Sequence, residues 1–537
     1  MTPTPSNRFA RLSHRHLPLL LTLLCALVLA GCLLPTLETR PMHHDEANQA
    51  YSARRLLDFH GYRFKPEDHH GPTLYYALLP VAWLRGVFSG AELDLATVRL
   101  VPLAFACLTL LLPLLAGNRL GRGAPLLAAV ALALSPCFAY YSTYFVQEML
   151  LTAFLALTLL SLWRWLDGGG RPWAIACGAA FGLCVATKET WILSAAAAVL
   201  AGAATALAHR REALALWRSR RADWRDLGAA ALAALLVAGV LFSSFGANPH
   251  GIPDFFRCWL HYAHKGTTTE TPFAAPFPTY LRWLFWFRAS GTPSAPLFSE
   301  WLILAGYLLA VLLLALPRLR PRGLRPAPLL FLVLHAPILL LLYSCIPYKT
   351  PWCCLSILHA FALPAGAGLA ALVFSPCADL ARLAAAAVAV AAALRLPDCR
   401  NALTRLATDP RNPWAYAHTL RDYLRLPARL RKFPQAVGRA PYTLVLTDYI
   451  DHWPLPWYTY ETDHIDYMDF RGWGADPDKD KRIRRKLDAE PDFILCRLDD
   501  ITAIPHHERY HWEDITLRPN VILRLATHRD VLPALLR

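Results

Sequence analysis

The chain has 537 residues, of which 55% are hydrophobic, 11% aromatic and 17% charged, and its formal net charge is +15. A soluble domain carries about 25% charged residues, so an ordinary soluble enzyme is excluded, and the apolar and aromatic content excludes disorder. The arginines lie between apolar runs rather than in one stripe, which marks them as membrane-topology signals and argues against a nucleic-acid partner.

The charge is unevenly placed. Residues 1–396 hold 32 Lys+Arg and 18 Asp+Glu, whereas residues 397–537 hold 22 and 21. Two solvents for two parts of one chain imply a transmembrane domain over 1–396 and a water-facing domain over 397–537. Thirteen cysteines are scattered through mostly apolar sequence with no CxxC pair, so they read as small buried hydrophobes rather than zinc ligands or a disulfide framework.

A membrane helix needs about 20 mostly apolar residues. Runs of that kind occur at 17–35, 96–117, 124–140, 148–166, 173–187, 190–208, 228–245, 298–316, 327–345, 353–374 and 380–396, which gives about eleven spans. The first ends in Leu29-Ala30-Gly31-Cys32, which has the form of a lipoprotein cleavage site; the many later spans favour an uncleaved anchor. With the N-terminus inside, the inner loops carry 18 basic and 5 acidic residues and the outer loops 12 of each. The positive-inside rule favours that orientation. It places the N-terminus in the cytoplasm of a bacterial-type plasma membrane and residues 397–537 outside.

The first outer loop, 36–95, follows the first span with His43-His44-Asp45-Glu46. Acids in a first helical turn are stabilised by the helix dipole. A carboxylate at this depth can also take a proton from an incoming hydroxyl. Together with imidazoles it can hold a divalent cation, Mg or Mn, against a phosphate leaving group. Neighbouring helical residues point about 100° apart, so Asp45 and Glu46 are expected to do different jobs. His69-His70-Gly71-Pro72 closes the hydrophilic part of the loop with a turn signal, and its histidines suit a phosphate or metal contact as readily as an idle interfacial place. Residues 73–89 are apolar but short and contain Pro80 and Arg85, which predicts an interfacial or re-entrant helix.

Glu148 opens the fourth span after a run of tyrosines, and Lys188-Glu189 sits between two spans with almost no loop. Ionisable groups at such places are either structural ion pairs or parts of a site. The outer loop 246–297, rich in Pro, Thr and aromatics, predicts a lid or groove wall. Tyr348-Lys349-Thr350-Pro351-Trp352 ends the ninth span, where Lys349 is either a phosphate contact or a snorkelling lysine. In the tail, Thr443–Thr447 and Phe493–Cys496 read as buried strands and Asp478–Leu487 as a charged helix, predicting a small α/β domain. His452, Trp453 and Trp457 there suit either sugar stacking or packing of that domain.

Taken together, Asp45-Glu46, His70-Gly71-Pro72, Glu148, Lys188-Glu189, Tyr348 to Trp352 and Trp453…Pro456-Trp457-Tyr458 resemble the GT-C superfamily of polyprenyl-phosphate-sugar glycosyltransferases. These include protein O-mannosyltransferases and lipid A aminoarabinose transferases. The likeness is nearest to a branch of membrane proteins linked to N-glycosylation and flippase activity. It implies an inverting transferase that moves a sugar from a polyprenyl-phosphate donor in the bilayer to a lipid, glycan or protein acceptor on the outer face. Asp45, Glu46 and Glu148 would be its catalytic acids. His44, His70, Lys188, Glu189, Tyr348, Lys349, Trp352, His452, Trp453 and Trp457 would be its substrate-binding residues. The other reading is a lipid-linked-glycan binding or flippase accessory protein without chemistry. Relatives often carry an Arg a few residues before the second-loop acid; this chain has Ser142, Tyr144 and Val146 there.

Overall fold

The computed structural model describes residues 5–59, 62–66, 70–220, 224–268, 274–289, 295–321, 323–471, 473–474, 476–497 and 501–535. His69 lies outside them.

The first helix, α1 (Pro5–Leu33), is followed by two helices of the first loop, α2 (His44–Phe59) and α3 (Thr73–Leu84). The bundle continues with α4 (Leu95–Leu111), α5 (Ala124–Ala133), α6 (Pro136–Tyr141), α7 (Glu148–Arg164), α8 (Arg171–Val185), α9 (Trp191–Ala208), α10 (Arg210–Arg220) and α11 (Trp224–Phe242). The loop helices α12 (Gly251–Thr267) and α13 (Thr279–Phe285) come next, then α14 (Trp301–Ala315), α15 (Pro326–Cys345), α16 (Cys354–Val373) and α17 (Ala378–Leu403).

Among the described residues, 8 helices are long and apolar enough to cross a membrane: Leu17–Thr36, Leu95–Gly117, Glu148–Gly169, Trp191–Ala208, Trp224–Phe242, Pro326–Cys345, Pro351–Val373 and Ala378–Leu403. The three remaining runs expected as spans are shorter apolar helices, α5, α8 and α14. In the first of these, Ser135-Pro136 breaks the run: Ser135 caps α6 by accepting from the Phe138 amide at 3.0 Å, and proline supplies the first helical residue. The run at 73–89 is the 12-residue α3, too short to span.

Helix α16 is the hub, with 83% of its membrane window buried, whereas α17 and α11 are peripheral at 11% each. Small residues let the hub pack closely. A Cβ on Gly366 would meet the Ala124 carbonyl oxygen at 2.4 Å, and one on Gly368 would meet that of Gly306 at 2.1 Å. At one end of the bundle the arginine-bearing turns join. Arg119 and Arg325 both pair with Asp167, the latter at 3.0 Å, and Arg171 pairs with Asp226 at 2.9 Å. The opposite end gathers α2, α3, α12 and the C-terminal domain around one apolar cluster that includes Met42, Leu78, Phe242, Cys258, Trp453 and Trp457.

The C-terminal domain contains α18 (Arg425–Val437), β1 (Thr443–Leu446), α19 (Leu455–Tyr458), β2 (Ile465–Met468), α20 (Pro477–Leu487), β3 (Phe493–Cys496), β4 (Tyr510–Arg518), β5 (Val521–His528) and α21 (Leu532–Leu535). Its sheet has the order β2-β1-β3-β5-β4, with β1 parallel to β2 and β3 and with β5 antiparallel to β3 and β4. Alternate residues of the central strands face opposite sides. Val445 and Leu495 pack on Leu430 and Phe433 of α18, while Leu444, Leu446, Ile494 and Cys496 pack on Ile483 and Leu487 of α20.

Candidate active site

The site is built from the start of α2. His43 is its N-cap: the ring Nδ1 accepts from the Asp45 amide at 3.1 Å, and Glu46 reaches back to accept from the His43 amide at 3.3 Å. This is a reciprocal cap with histidine in the usual Ser/Thr role. Burial holds the His43 imidazole down to about 4, so the ring is neutral and can accept.

The cap turns the two acids apart. Glu46 points inward and is fully buried. Its oxygens accept from Arg99 Nε and Nη2, both at 2.7 Å, and from the Phe145 amide at 3.2 Å, with Arg40 at 4.0 Å. Arg99 gives its remaining donors to the carbonyls of Leu37, Arg40 and Pro41 at 2.6–3.1 Å. Glu46 is thus the anchor of residues 37–46 on α4, and its carboxylate is closed to a substrate. Burial raises its carboxyl, but Arg99 and Arg40 outweigh burial and hold it below the ordinary value.

Asp45 points the other way. Its side chain is 42% exposed, and its one ion-pair contact among the described residues is His44 Nε2 at 3.7 Å. Burial of the recess raises its carboxyl, but the charges of His43, His44, Lys265 and His70 outweigh burial and keep it below the ordinary carboxylate value.

Around Asp45 the motifs meet in pairs. Gly71 and Thr73 donate their amides to the carbonyls of Thr187 and Ala186 at 3.1 and 3.2 Å. A Cβ at Gly71 would meet the Ala186 oxygen at 2.1 Å, so only glycine allows this contact. The contact sets His70 Nδ1 2.7 Å from Glu189 Oε2, while the Cys258 thiol donates to Glu189 Oε1 at 3.1 Å. Burial raises the Glu189 carboxyl, but His70 outweighs burial and lowers it. Lys188 turns the other way and pairs with buried Glu148. Burial lowers the Lys188 ammonium, and Glu148 more than restores it, so it stays charged.

The loop of α12 and the Tyr348–Trp352 segment form the facing wall. Ala275 donates to the Pro347 carbonyl at 3.1 Å, and Lys265 Nζ lies 5.2 Å from the Tyr348 ring centre and 5.6 Å from that of Tyr262. Tyr262 in turn lies 4.5 Å from the His70 ring. Trp352 packs with His43 and Tyr144 at 5.8 and 6.2 Å. Lys349 does not share this wall. Its buried ammonium donates to the carbonyls of Ser344, at 3.0 Å, and Ile346, closing the end of α15.

The C-terminal domain docks over α2. His44 bonds the Ile450 carbonyl at 3.0 Å, and Trp453 meets His44 and Tyr51 edge-on at 6.2 and 5.7 Å. Trp457 lies under the Arg54 guanidinium at 3.6 Å, and His452 packs with Tyr467 at 5.2 Å. Trp453 and Trp457 are both buried, so their rings are packing surfaces of the interface. Lys265 and Tyr262 were not singled out from sequence; the aromatic and basic face of His261, Tyr262, His264 and Lys265 on α12 was the available signal. A guanidinium also reaches the loop before Glu148, where sequence offered none: Arg40 donates to Thr143 Oγ1 at 2.9 Å and stacks near Tyr140 and Tyr144. Among the described residues no three His, Cys, Asp or Glu side chains come together to hold a metal ion.

Residues 81–243 match the family model of dolichyl-phosphate-mannose-protein mannosyltransferase. The fold is that of ArnT from Cupriavidus metallidurans, whose crystal structure bound to undecaprenyl phosphate aligns with TM-score 0.59 and 16% identity over 96% of this chain and 98% of that one. The likeness to ArnT is one of fold across nearly the whole of both chains. The apo state of ArnT aligns with TM-score 0.59 and 15% identity over 96% of this chain and 98% of ArnT. The Archaeoglobus fulgidus oligosaccharyltransferase, in its complex with Zn and sulfate, aligns with TM-score 0.50 and 13% identity over 92% of this chain and 72% of that one. No curated protein matches this chain in sequence.

Proposed function

We propose that this chain is an inverting glycosyltransferase that moves a sugar from a polyprenyl-phosphate donor to an acceptor hydroxyl on the outer face of the membrane. The observation that carries the reading is the division of the acids. Glu46, Glu148 and Glu189 are each held by a close cationic or imidazole partner, whereas the Asp45 side chain, with His44 at 3.7 Å, is 42% exposed and faces cationic and aromatic groups. Asp45 accepts the acceptor proton as the new C–O bond forms at the anomeric carbon and the bond to the phosphate oxygen breaks. Lys265 offsets the charge on the departing polyprenyl phosphate. His70, Tyr348 and Trp352 line the sugar-bearing side. Glu46, Glu148, Lys188 and Glu189 are positioning residues that fix the loops. The donor lipid lies in the bilayer beside the bundle.

Purified protein incubated with mixed polyprenyl-phosphate sugars tests this reading. Release of free polyprenyl phosphate with a glycosylated acceptor supports it. Tight binding of the lipid-linked sugar with no turnover favours the accessory reading instead.

A further inference from the structure

A second polar recess lies at the far end of α2. Arg54 is nine residues after Asp45, about 14 Å along the helix. The recess has a cavity of about 250 Å³ lined by Arg54, Asp94, Arg431, Trp457, Tyr460 and Glu461 among others. Its centre is Arg54, which is only 8% exposed. Arg54 Nη1 and Nη2 donate to the carbonyls of Trp457 and Leu93 at 2.6 and 2.9 Å, and the guanidinium carbon lies 3.6 Å from the Trp457 ring centre. Among the described residues no carboxylate comes within ion-pair distance of it, and its Nε is buried without a partner. A buried guanidinium with an orphaned donor calls for an anion.

The neighbouring acids do not supply one. Asp94 is engaged by the Thr97 amide at 2.6 Å and by Arg85 at 3.0 Å, and Asp58 by the Gly90 amide at 2.6 Å and by Tyr460. Glu461 lines the recess but is solvent-exposed. Exposed Arg431 on α18 adds a second guanidinium on the rim with no ion pair among the described residues. The recess adjoins the start of a helix long and apolar enough to cross a membrane, because Leu95, which opens Leu95–Gly117, lines it with Leu93 and Asp94. Beside it, on the segment that Arg85 ties to Asp94, stand Trp83, Leu84 and Phe88 at 54%, 89% and 64% exposure, an apolar patch of the kind that enters the lipid interface.

We propose that this recess binds the phosphate of an anionic membrane lipid, held between Arg54 and Arg431 over Trp457, with the acyl chains against Trp83, Leu84 and Phe88. Arginine pairs phosphate through charge-assisted hydrogen bonds. The site is separate from the Asp45 site and does not depend on the transferase reading.

The test uses the full chain in phosphatidylcholine nanodiscs, titrated with dihexanoyl phosphatidic acid, dihexanoyl phosphatidylcholine or inorganic phosphate, with binding read by calorimetry. Saturable binding of the phosphatidic acid alone is expected. It should weaken about tenfold or more in Arg431→Gln and in Arg54→Lys and stay unchanged in Asp45→Asn. Arg431 is on the surface, so its variant keeps the test valid if Arg54→Lys fails to fold. Equal binding of both lipids, or an unchanged affinity in Arg431→Gln, overturns the proposal. Binding of inorganic phosphate as tight as that of the lipid assigns the recess to a soluble phosphate and overturns the lipid assignment. Loss of binding in Asp45→Asn but not in Arg431→Gln moves the lipid to the other site and overturns it as well.

Discussion

Asp45 and Glu46 are adjacent on the first turn of α2, yet the Glu46 carboxylate is fully buried against Arg99 while the Asp45 side chain is 42% exposed in the recess opposite Lys265. One cap geometry produces both environments, so the two acids make opposite predictions on mutation.

For Glu46 the prediction is structural. Glu46→Gln leaves Arg99 buried without its counter-charge, and breaking a buried pair on one side costs roughly 3–5 kcal/mol. The melting temperature of the purified protein should fall clearly. Replacing Arg99 as well should not restore the loss in full, because buried Arg40, 4.0 Å from Glu46, also loses its counter-charge. A Glu46→Gln protein as stable as wild type would show that the Arg99 contact does not anchor the loop.

The same logic holds at the Lys188–Glu148 pair, with a different readout. Lys188→Met leaves Glu148, already carrying one unpartnered oxygen, as an isolated buried carboxylate. Stability should drop by several kcal/mol, and adding Glu148→Gln should recover part of it in a double-mutant cycle. Additive losses would mean that the two side chains do not interact.

Lys265 is exposed on α12 and holds no ion pair among the described residues. Lys265→Met should therefore leave the unfolding free energy within about 0.5 kcal/mol of wild type. If it offsets the donor phosphate, the variant should raise KM for the polyprenyl-phosphate donor and slow turnover, most visibly at low salt. Unchanged steady-state kinetics would place the donor phosphate elsewhere.

How much of this was legible in the sequence depends on distance along the chain. The apolar runs identify the bundle, and Val445, Ile494 and their neighbours reveal two buried strands because both faces of those strands are covered. Strands β4 and β5 were not visible as such. They mix charged and apolar residues, and their pairing depends on each other rather than on a local apolar run. The acids Asp45, Glu46, Glu148 and Glu189 all stand out in sequence, but what separates them does not. Glu46 meets an arginine 53 residues away and His70 meets Glu189 at a separation of 119, so only the fold says which acid is already partnered. Lys349 illustrates the converse: a lone basic residue in a short loop reads as a ligand group, yet the nearest acceptors are the carbonyls ending its own preceding helix.

The pH profile separates Asp45 from an imidazole of ordinary pKa, though not from His43, which burial holds at about 4. A carboxyl held below its ordinary value of about 3.9 is ionised through the whole range from pH 5 to 8. The acid limb of kcat/KM should therefore lie below about pH 4. The linkage has the same sign: the stability that ionised Asp45 gains from its cationic neighbours is present above the unfolded carboxyl pKa and is lost as pH falls through the folded one. An acid limb centred near pH 6.5 would assign the base to an imidazole.

The central claim rests on Asp45 as the base, and Asp45→Asn tests it most directly. The substitution keeps shape and hydrogen bonding and removes the negative charge. Glu46, not Asp45, carries the anchoring contacts, so folding and membrane insertion should be preserved. Turnover of the polyprenyl-phosphate donor by the purified variant should fall by about a hundredfold or more, the usual size of a general-base contribution, while donor binding persists. A folded Asp45→Asn protein that transfers sugar at a near wild-type rate would contradict the account and place the chemistry on another residue.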